Sequence, residues 1–224
     1  MDPSNRFVHF AILGIRPEWR LLGADEKKVD AEAFDREFSA AKKVSAHCYT
    51  LVGTEPDADL MLWLTADSLE DCQEFMARLM NAGLGRYLHV VHSLISVTDS
   101  SEYVKSHSPQ SQSLGSDVRS KYLIVYPFTK TTDWYLLGQE ERGEMMREHA
   151  RIGGQFKSVR QILGYSFGFD DQEFVVAYET DSIKDYKDLV RSLRGIRVRK
   201  YTAKETPVFT GVYRSVSEAL GMLV

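Results

Sequence analysis

Apolar positions follow two rhythms along the chain, and the same succession of rhythms occurs twice. Residues 7–15 are rich in β-branched and aromatic side chains, which predicts a strand. Across 31–43 the apolar residues Ala31, Phe34, Phe38 and Ala41 fall three or four apart, a helical period. Stretches 46–52 and 59–65 predict a strand pair joined by a Gly-Thr-Glu-Pro-Asp turn. Residues 68–80 predict a second helix, with Asp67 or Ser68 as N-cap and Glu70 and Asp71 in its first turn. A strand over 88–97 closes the series. The order β-α-β-β-α-β is the ferredoxin-like plan of an α+β unit. The second half predicts the same order from 122–126, 139–152, 159–167, 173–179, 183–193 and a closing strand within 198–211. Gly153 and Gly154 stop its first helix after Ile152.

The two halves also match residue by residue. Trp19, Leu21, Leu22, Gly23 and Glu26 fall on Trp134, Leu136, Leu137, Gly138 and Glu141 at an offset of 115. At an offset of 114, Asp57, Asp67, Ser68, Asp71, Leu79 and Tyr87 fall on Asp171, Asp181, Ser182, Asp185, Leu193 and Tyr201. A one-residue deletion between matched blocks is what a loop tolerates. The expected organisation is a first unit over 1–98, a Ser-rich linker over 99–120 and a second unit over 121–224. A binding loop is the alternative for 99–120.

Composition narrows the class. The chain has 224 residues, 43% hydrophobic and 27% charged, which is ordinary for a globular protein. A net charge of −4 argues against a nucleic-acid partner. No apolar run approaches the roughly 18 residues of a membrane span. Residues 1–5 are polar and lack a signal-peptide pattern. Two isolated cysteines, Cys48 and Cys72, read as core residues of a cytoplasmic protein without structural disulfides.

Candidate chemistry lies where the two halves differ. His149 sits on the face Arg142, Met145, His149, Ile152 of the predicted helix, at the place of Phe34 in the first half. A buried imidazole needs a hydrogen-bond partner or a metal, so a satisfied core histidine and a metal ligand are the two readings. Tyr126 matches Ala11, and Lys130 matches Ile15. Tyr126 reads either as a packing residue with a wet hydroxyl or as a reactive phenol, and Lys130 either as a solvated charge or as an anion ligand. The carboxylates Asp57, Asp59, Asp170 and Asp171 fall at hairpin turns, where Asp is favoured for turn geometry. Gly83-Leu84-Gly85 lacks a phosphate-loop pattern, and His89 and His92 point to opposite faces of a strand.

These residues resemble a known family, the chlorite dismutase-like haem proteins, which includes chlorite dismutases and coproheme decarboxylases. In the first half the resemblance lies in Pro17-Glu18-Trp19-Arg20, in the stretch from Asp57 to Trp63, and in Ser101-Glu102-Tyr103. In the second it lies in Tyr126-Pro127, Trp134-Tyr135, Glu140-Glu141-Arg142, Met146-Arg147-Glu148-His149, Val159-Arg160-Gln161, the stretch from Ser166 to Asp171, and Phe209-Thr210-Gly211. The resemblance implies a dimeric α+β barrel built from tandem ferredoxin-like units, assembled as a homopentamer.

It further implies that His149 is the ligand of a haem iron and that Gln161 is the residue above the metal. Tyr126 would pass an oxidising equivalent to a propionate. Lys130, Arg194 and Trp134 would hold the cofactor, with Lys or Arg against the propionate anions. Two positions depart from the pattern: Phe128 replaces the usual Met after Tyr-Pro, and Arg197 stands where many relatives have a Glu that accepts the imidazole N–H.

The function expected is that of a haem-dependent oxidoreductase, a coproheme decarboxylase that uses hydrogen peroxide, with an iron porphyrin as partner. A haem carrier or sensor without turnover is the alternative, favoured by Arg197 and Phe128. Chlorite dismutation is the third reading and is opposed by Gln161, which is neutral where an anionic oxidant calls for a cation.

Overall fold

The computed structural model describes residues 6–99 and 118–223. The chain divides into two compact units, one of Met1–Thr98 with Thr210–Val224, the other of Asp99–Phe209.

In the first unit, β1 (Phe7–Ile15) lies between β3 (Leu60–Ala66) and β4 (Leu88–Val97), antiparallel to both. β2 (Val44–Thr50) extends the sheet beyond β3. Two longer helices, α2 (Ala24–Ser39) and α3 (Leu69–Asn81), follow the short α1 (Pro17–Arg20). Phe34, Phe38, Phe75 and Leu79 pack with Ala11, Leu13, Leu62 and Leu64 into one core. Ser68 caps α3, its hydroxyl accepting from the Asp71 amide at 3.1 Å. Cys48 and Cys72 are free and buried.

The second unit has the same order of elements: β5 (Tyr122–Lys130), α4 (Thr132–Leu136), α5 (Gln139–Gly153), β6 (Val159–Tyr165), β7 (Phe174–Thr180), α6 (Ile183–Leu193) and the short β8 (Thr202–Lys204). β7 is antiparallel to both β5 and β6, and β8 pairs with the end of β5. Registers repeat between the units: Ala11 pairs with Leu62 and Tyr126 with Val176, the offsets found in the sequence. One carboxylate latch repeats as well. Asp59 accepts from the Ile15 amide at 2.8 Å, and Glu173 from the Lys130 amide at 2.7 Å.

Several expected boundaries move. The helix predicted over 31–43 begins at Ala24, because its first turns are polar and carry no apolar period. The strand expected to end at Tyr126 runs through Pro127 to Lys130. Residues 210–224, expected in the second unit, fold with the first. β9 (Phe209–Arg214) pairs with β2 through Val212, Tyr213 and Arg214, and α7 (Val216–Gly221) places Val216, Ala219 and Leu220 in the first core. Leu223 accepts a hydrogen bond from the Trp19 indole at 2.7 Å. Burial of apolar residues decides this docking.

Of the expected linker, 100–117, which contains Ser101-Glu102-Tyr103, lies outside the described residues. Its end is anchored. The Arg119 side chain is 1% exposed and lies 3.5 Å from the fully buried Glu179 carboxylate, which Arg160 also meets at 3.2 Å. The Ser120 amide donates to Glu179 at 3.3 Å. Removing this carboxylate breaks a buried ion pair of two guanidiniums. Glu179→Ala is therefore expected to lower stability by about 3–5 kcal/mol in urea unfolding. A loss below about 1 kcal/mol would show that the anchor is solvated.

Candidate functional site

The site grows from the end of β5 and the helix that follows. The Glu173 latch on the Lys130 amide fixes where β5 ends. The Lys130 ammonium then lies 4.2 Å from the Trp134 ring centroid and 5.2 Å from that of Phe128, in cation–π contact with both. α5 begins after Gly138, with Glu140 and Glu141 in its first turn and Arg151 in its last, matching the helix dipole at both ends. Met145 is buried, and His149 lies one turn further along the same face.

His149 faces a cavity of about 120 Å³ within the second unit. Tyr126, Phe128, Lys130, Tyr178 and Tyr186 line it on the sheet and helix side, with Val190, Leu193 and Arg194 from the end of α6. Val198, Arg199, Thr202, Glu205 and Val208 complete the wall. The imidazole has no hydrogen-bond partner among the described residues. Burial, with the Lys130 charge as a second cause, holds its pKa below the ordinary 6.5. At neutral pH the ring is therefore uncharged, the form that binds metals.

Three tyrosines form a chain of rings. Tyr126 and Tyr178 stack at 6.3 Å, and Tyr178 and Tyr186 meet at 5.3 Å. Burial, followed by the Tyr178 neighbour, pushes the Tyr126 phenol well above its usual range, and burial raises Tyr178 to about 12. These phenols keep their protons at any physiological pH.

Lys130 is pushed down to about 8, chiefly by burial, with Glu173 opposing. An unfolded lysine titrates near about 10.4. Between about pH 8 and 10.4 the unfolded chain binds a proton that the folded chain does not, so stability rises with pH across that window. Lys130→Met is expected to raise stability at pH 7 and to flatten the rise between about pH 8 and 10. Urea unfolding at both pH values checks this, and an unchanged slope would refute it.

The other expected residues fall as follows. Arg194 lines the cavity and pairs with Glu205. Trp134 is buried and meets the site through Lys130. Gln161 pairs directly with Tyr178 across β6 and β7, which puts it on the same sheet face as Tyr178, but it is not among the residues lining the cavity. Arg197 is also absent from the lining. Its guanidinium lies 3.5 Å from Glu144 and 3.6 Å from Glu148. Tyr178, Tyr186, Arg199 and Glu205 are added by the fold. Tyr178 and Tyr186 sit on the core faces of predicted elements, so alternation along β7 and the helical period of α6 could have found them.

The donor set has one further property. Among the described residues no group of three or more His, Cys, Asp and Glu could hold a metal ion. Cations at Lys130, Arg194 and Arg199 suit a macrocycle with carboxylate side chains. The cavity of about 120 Å³ is small beside ligand clefts of roughly 300 Å³ and more.

Comparison with known proteins was made on this basis. Residues 25–214 match the family model described as chlorite dismutase. A coproheme decarboxylase of Mycolicibacterium smegmatis (strain ATCC 700084 / mc(2)155) is 32% identical over 226 residues, covering 100% of this chain and 96% of that protein. A doubly substituted chlorite dismutase from Candidatus Nitrospira defluvii superposes with a TM-score of 0.88 at 28% identity, over 97% of this chain and 95% of the other. The chlorite dismutase of the same organism in complex with imidazole gives a TM-score of 0.88 at 26% identity, over 97% and 94%. No helix among the described residues is long and apolar enough to cross a membrane.

Proposed function

The chain belongs to the chlorite dismutase family, and on that premise we propose that it binds an iron porphyrin and acts as a peroxide-dependent coproheme decarboxylase. The observation that carries this reading is the His149 imidazole, neutral and without a hydrogen-bond partner among the described residues, facing a cavity shared with Tyr126 and three cations. His149 is the iron ligand. Lys130, Arg194 and Arg199 hold the propionates, and Trp134 fixes the Lys130 ammonium by its ring face. Gln161, on the same sheet face as Tyr178, would supply a neutral donor toward the bound group.

The bound iron coproporphyrin supplies peroxide activation and the carboxylates that are removed. The chain's own residues set position and protons. Tyr126 holds its phenolic proton at Oη, since its raised pKa excludes the phenolate, and as a relay it would lose a proton and an electron together to the peroxide-derived oxidant and regain both from the propionate side chain. Val190, Leu193 and Val198 give that exchange apolar neighbours in the cavity wall.

The two units are tandem ferredoxin-like halves of one dimeric α+β barrel, and the second half alone carries the cofactor. A homopentamer in the cytoplasm is the setting that goes with this reading. The test is to add iron coproporphyrin and hydrogen peroxide to the protein and to follow the porphyrin by mass. Loss of two carboxyl groups is expected. A shifted porphyrin spectrum with unchanged mass would instead identify a carrier, and oxygen release from chlorite would identify a dismutase.

A further inference from the structure

Glu205 lies between two arginines at the wall of the cavity. Its Oε1 accepts from Arg199 Nη2 at 3.0 Å and from Arg194 Nη1. All three residues line the cavity. Their side chains keep 23%, 36% and 46% exposure for Glu205, Arg199 and Arg194, so the cluster sits where a ligand from solvent can reach it. No other carboxylate is recorded against either guanidinium among the described residues.

Two features make Glu205 more than a structural partner. Glu205 forms part of the wall of the cavity that Tyr126 and His149 also line, so an anion entering there meets its carboxylate. Glu205 is also within electrostatic reach of the tyrosine chain, where its charge helps raise Tyr126, Tyr178 and Tyr186. A carboxylate at this point therefore stands near the phenol to which a reacting carboxylate must be presented.

We propose that Arg194 and Arg199 form a carboxylate seat in which Glu205 is the internal occupant, displaced when a porphyrin propionate takes its place. This rests on the porphyrin reading above. The seat is preorganised, because the guanidiniums are already held together by an anion of the right kind and spacing. Displacement exchanges one carboxylate for another, so affinity for the ligand is reduced by whatever Glu205 gains from the seat. A porphyrin without carboxylates cannot make the exchange and gains nothing at this position.

The test is titration of the full chain with metal-free coproporphyrin, read by its fluorescence, beside a control porphyrin bearing only alkyl groups. Glu205→Gln keeps the shape and removes the competing charge. It is expected to bind coproporphyrin about fivefold more tightly than the parent, as befits a partly exposed ion pair, with no change for the alkyl porphyrin. Glu205→Asp keeps the charge and is expected to bind like the parent. Thermal unfolding of both variants shows that they are folded.

Equal or weaker coproporphyrin binding by folded Glu205→Gln would overturn the seat while leaving the proposed function intact. The same gain for the alkyl porphyrin would also overturn it, as a general loosening of the wall. Failure of parent and variants alike to bind coproporphyrin would overturn the porphyrin reading itself, and the seat with it.

Discussion

Tyr126→Phe is expected to bind iron coproporphyrin like the parent protein and to lose decarboxylation by about a thousandfold, on the order of 4 kcal/mol of barrier. The substitution removes one oxygen and leaves the ring, so the stack on Tyr178 at 6.3 Å and the packing of β5 under α6 persist. The iron ligand and the cations are untouched. What disappears is the phenol that lines the cavity from β5, and with it the relay that takes a proton and an electron from the propionate side chain. Rates of carboxyl loss followed by mass, with binding followed separately by spectrum, check both halves of this expectation. Turnover within about tenfold of the parent would move the reactive role to another group, with Tyr178 and Tyr186 next along the chain of rings.

His149→Ala is expected to weaken binding of iron coproporphyrin more than about a hundredfold. None of the other residues lining the cavity is a histidine, cysteine or methionine. Metal-free coproporphyrin, held by Lys130, Arg194 and Arg199 alone, is expected to bind parent and variant equally. The contrast between the two porphyrins separates loss of a metal bond from collapse of the pocket. Added imidazole is expected to restore the iron porphyrin complex, because removal of the side chain leaves room for a free ring where the old one stood. Equal binding of the iron porphyrin by both proteins would place the ligand elsewhere.

Much of this site was legible in residue pattern. The helix over 183–193 has the predicted bounds, because its apolar positions keep a single period from end to end, and the strand over 88–97 has them too despite a register shift in its pairing with β1. His149 stood out because its sister position, Phe34, is wholly buried, so a ring of the same place but different chemistry called for a reason. Tyr126 and Lys130 stood out by the same comparison with Ala11 and Ile15.

What was hidden lay in segments without a period. The first turns of α2 are a run of charged residues, and only the bond from the Gly23 amide to Glu26 at 3.1 Å marks the start. Arg199 and Glu205 sit in short turns around β8, where neither strand nor helix spacing tells which way a side chain faces. Pro127 reads as a strand end because it lacks an amide hydrogen, yet its Cα still pairs with Val175 and the strand goes on to carry Lys130 into the site. Arg197, one of the two departures from the family pattern, is paired with Glu144 and Glu148 and does not line the cavity.

The most direct measurement is the visible absorption spectrum of the purified chain titrated with ferric coproporphyrin, run beside His149→Ala. An imidazole-bound iron gives the parent a sharpened, shifted Soret band that saturates at one porphyrin per chain and is missing from the variant until free imidazole is added. The same spectrum from both proteins would contradict the account, because the iron would then owe nothing to the one ring that the second helix presents to the cavity.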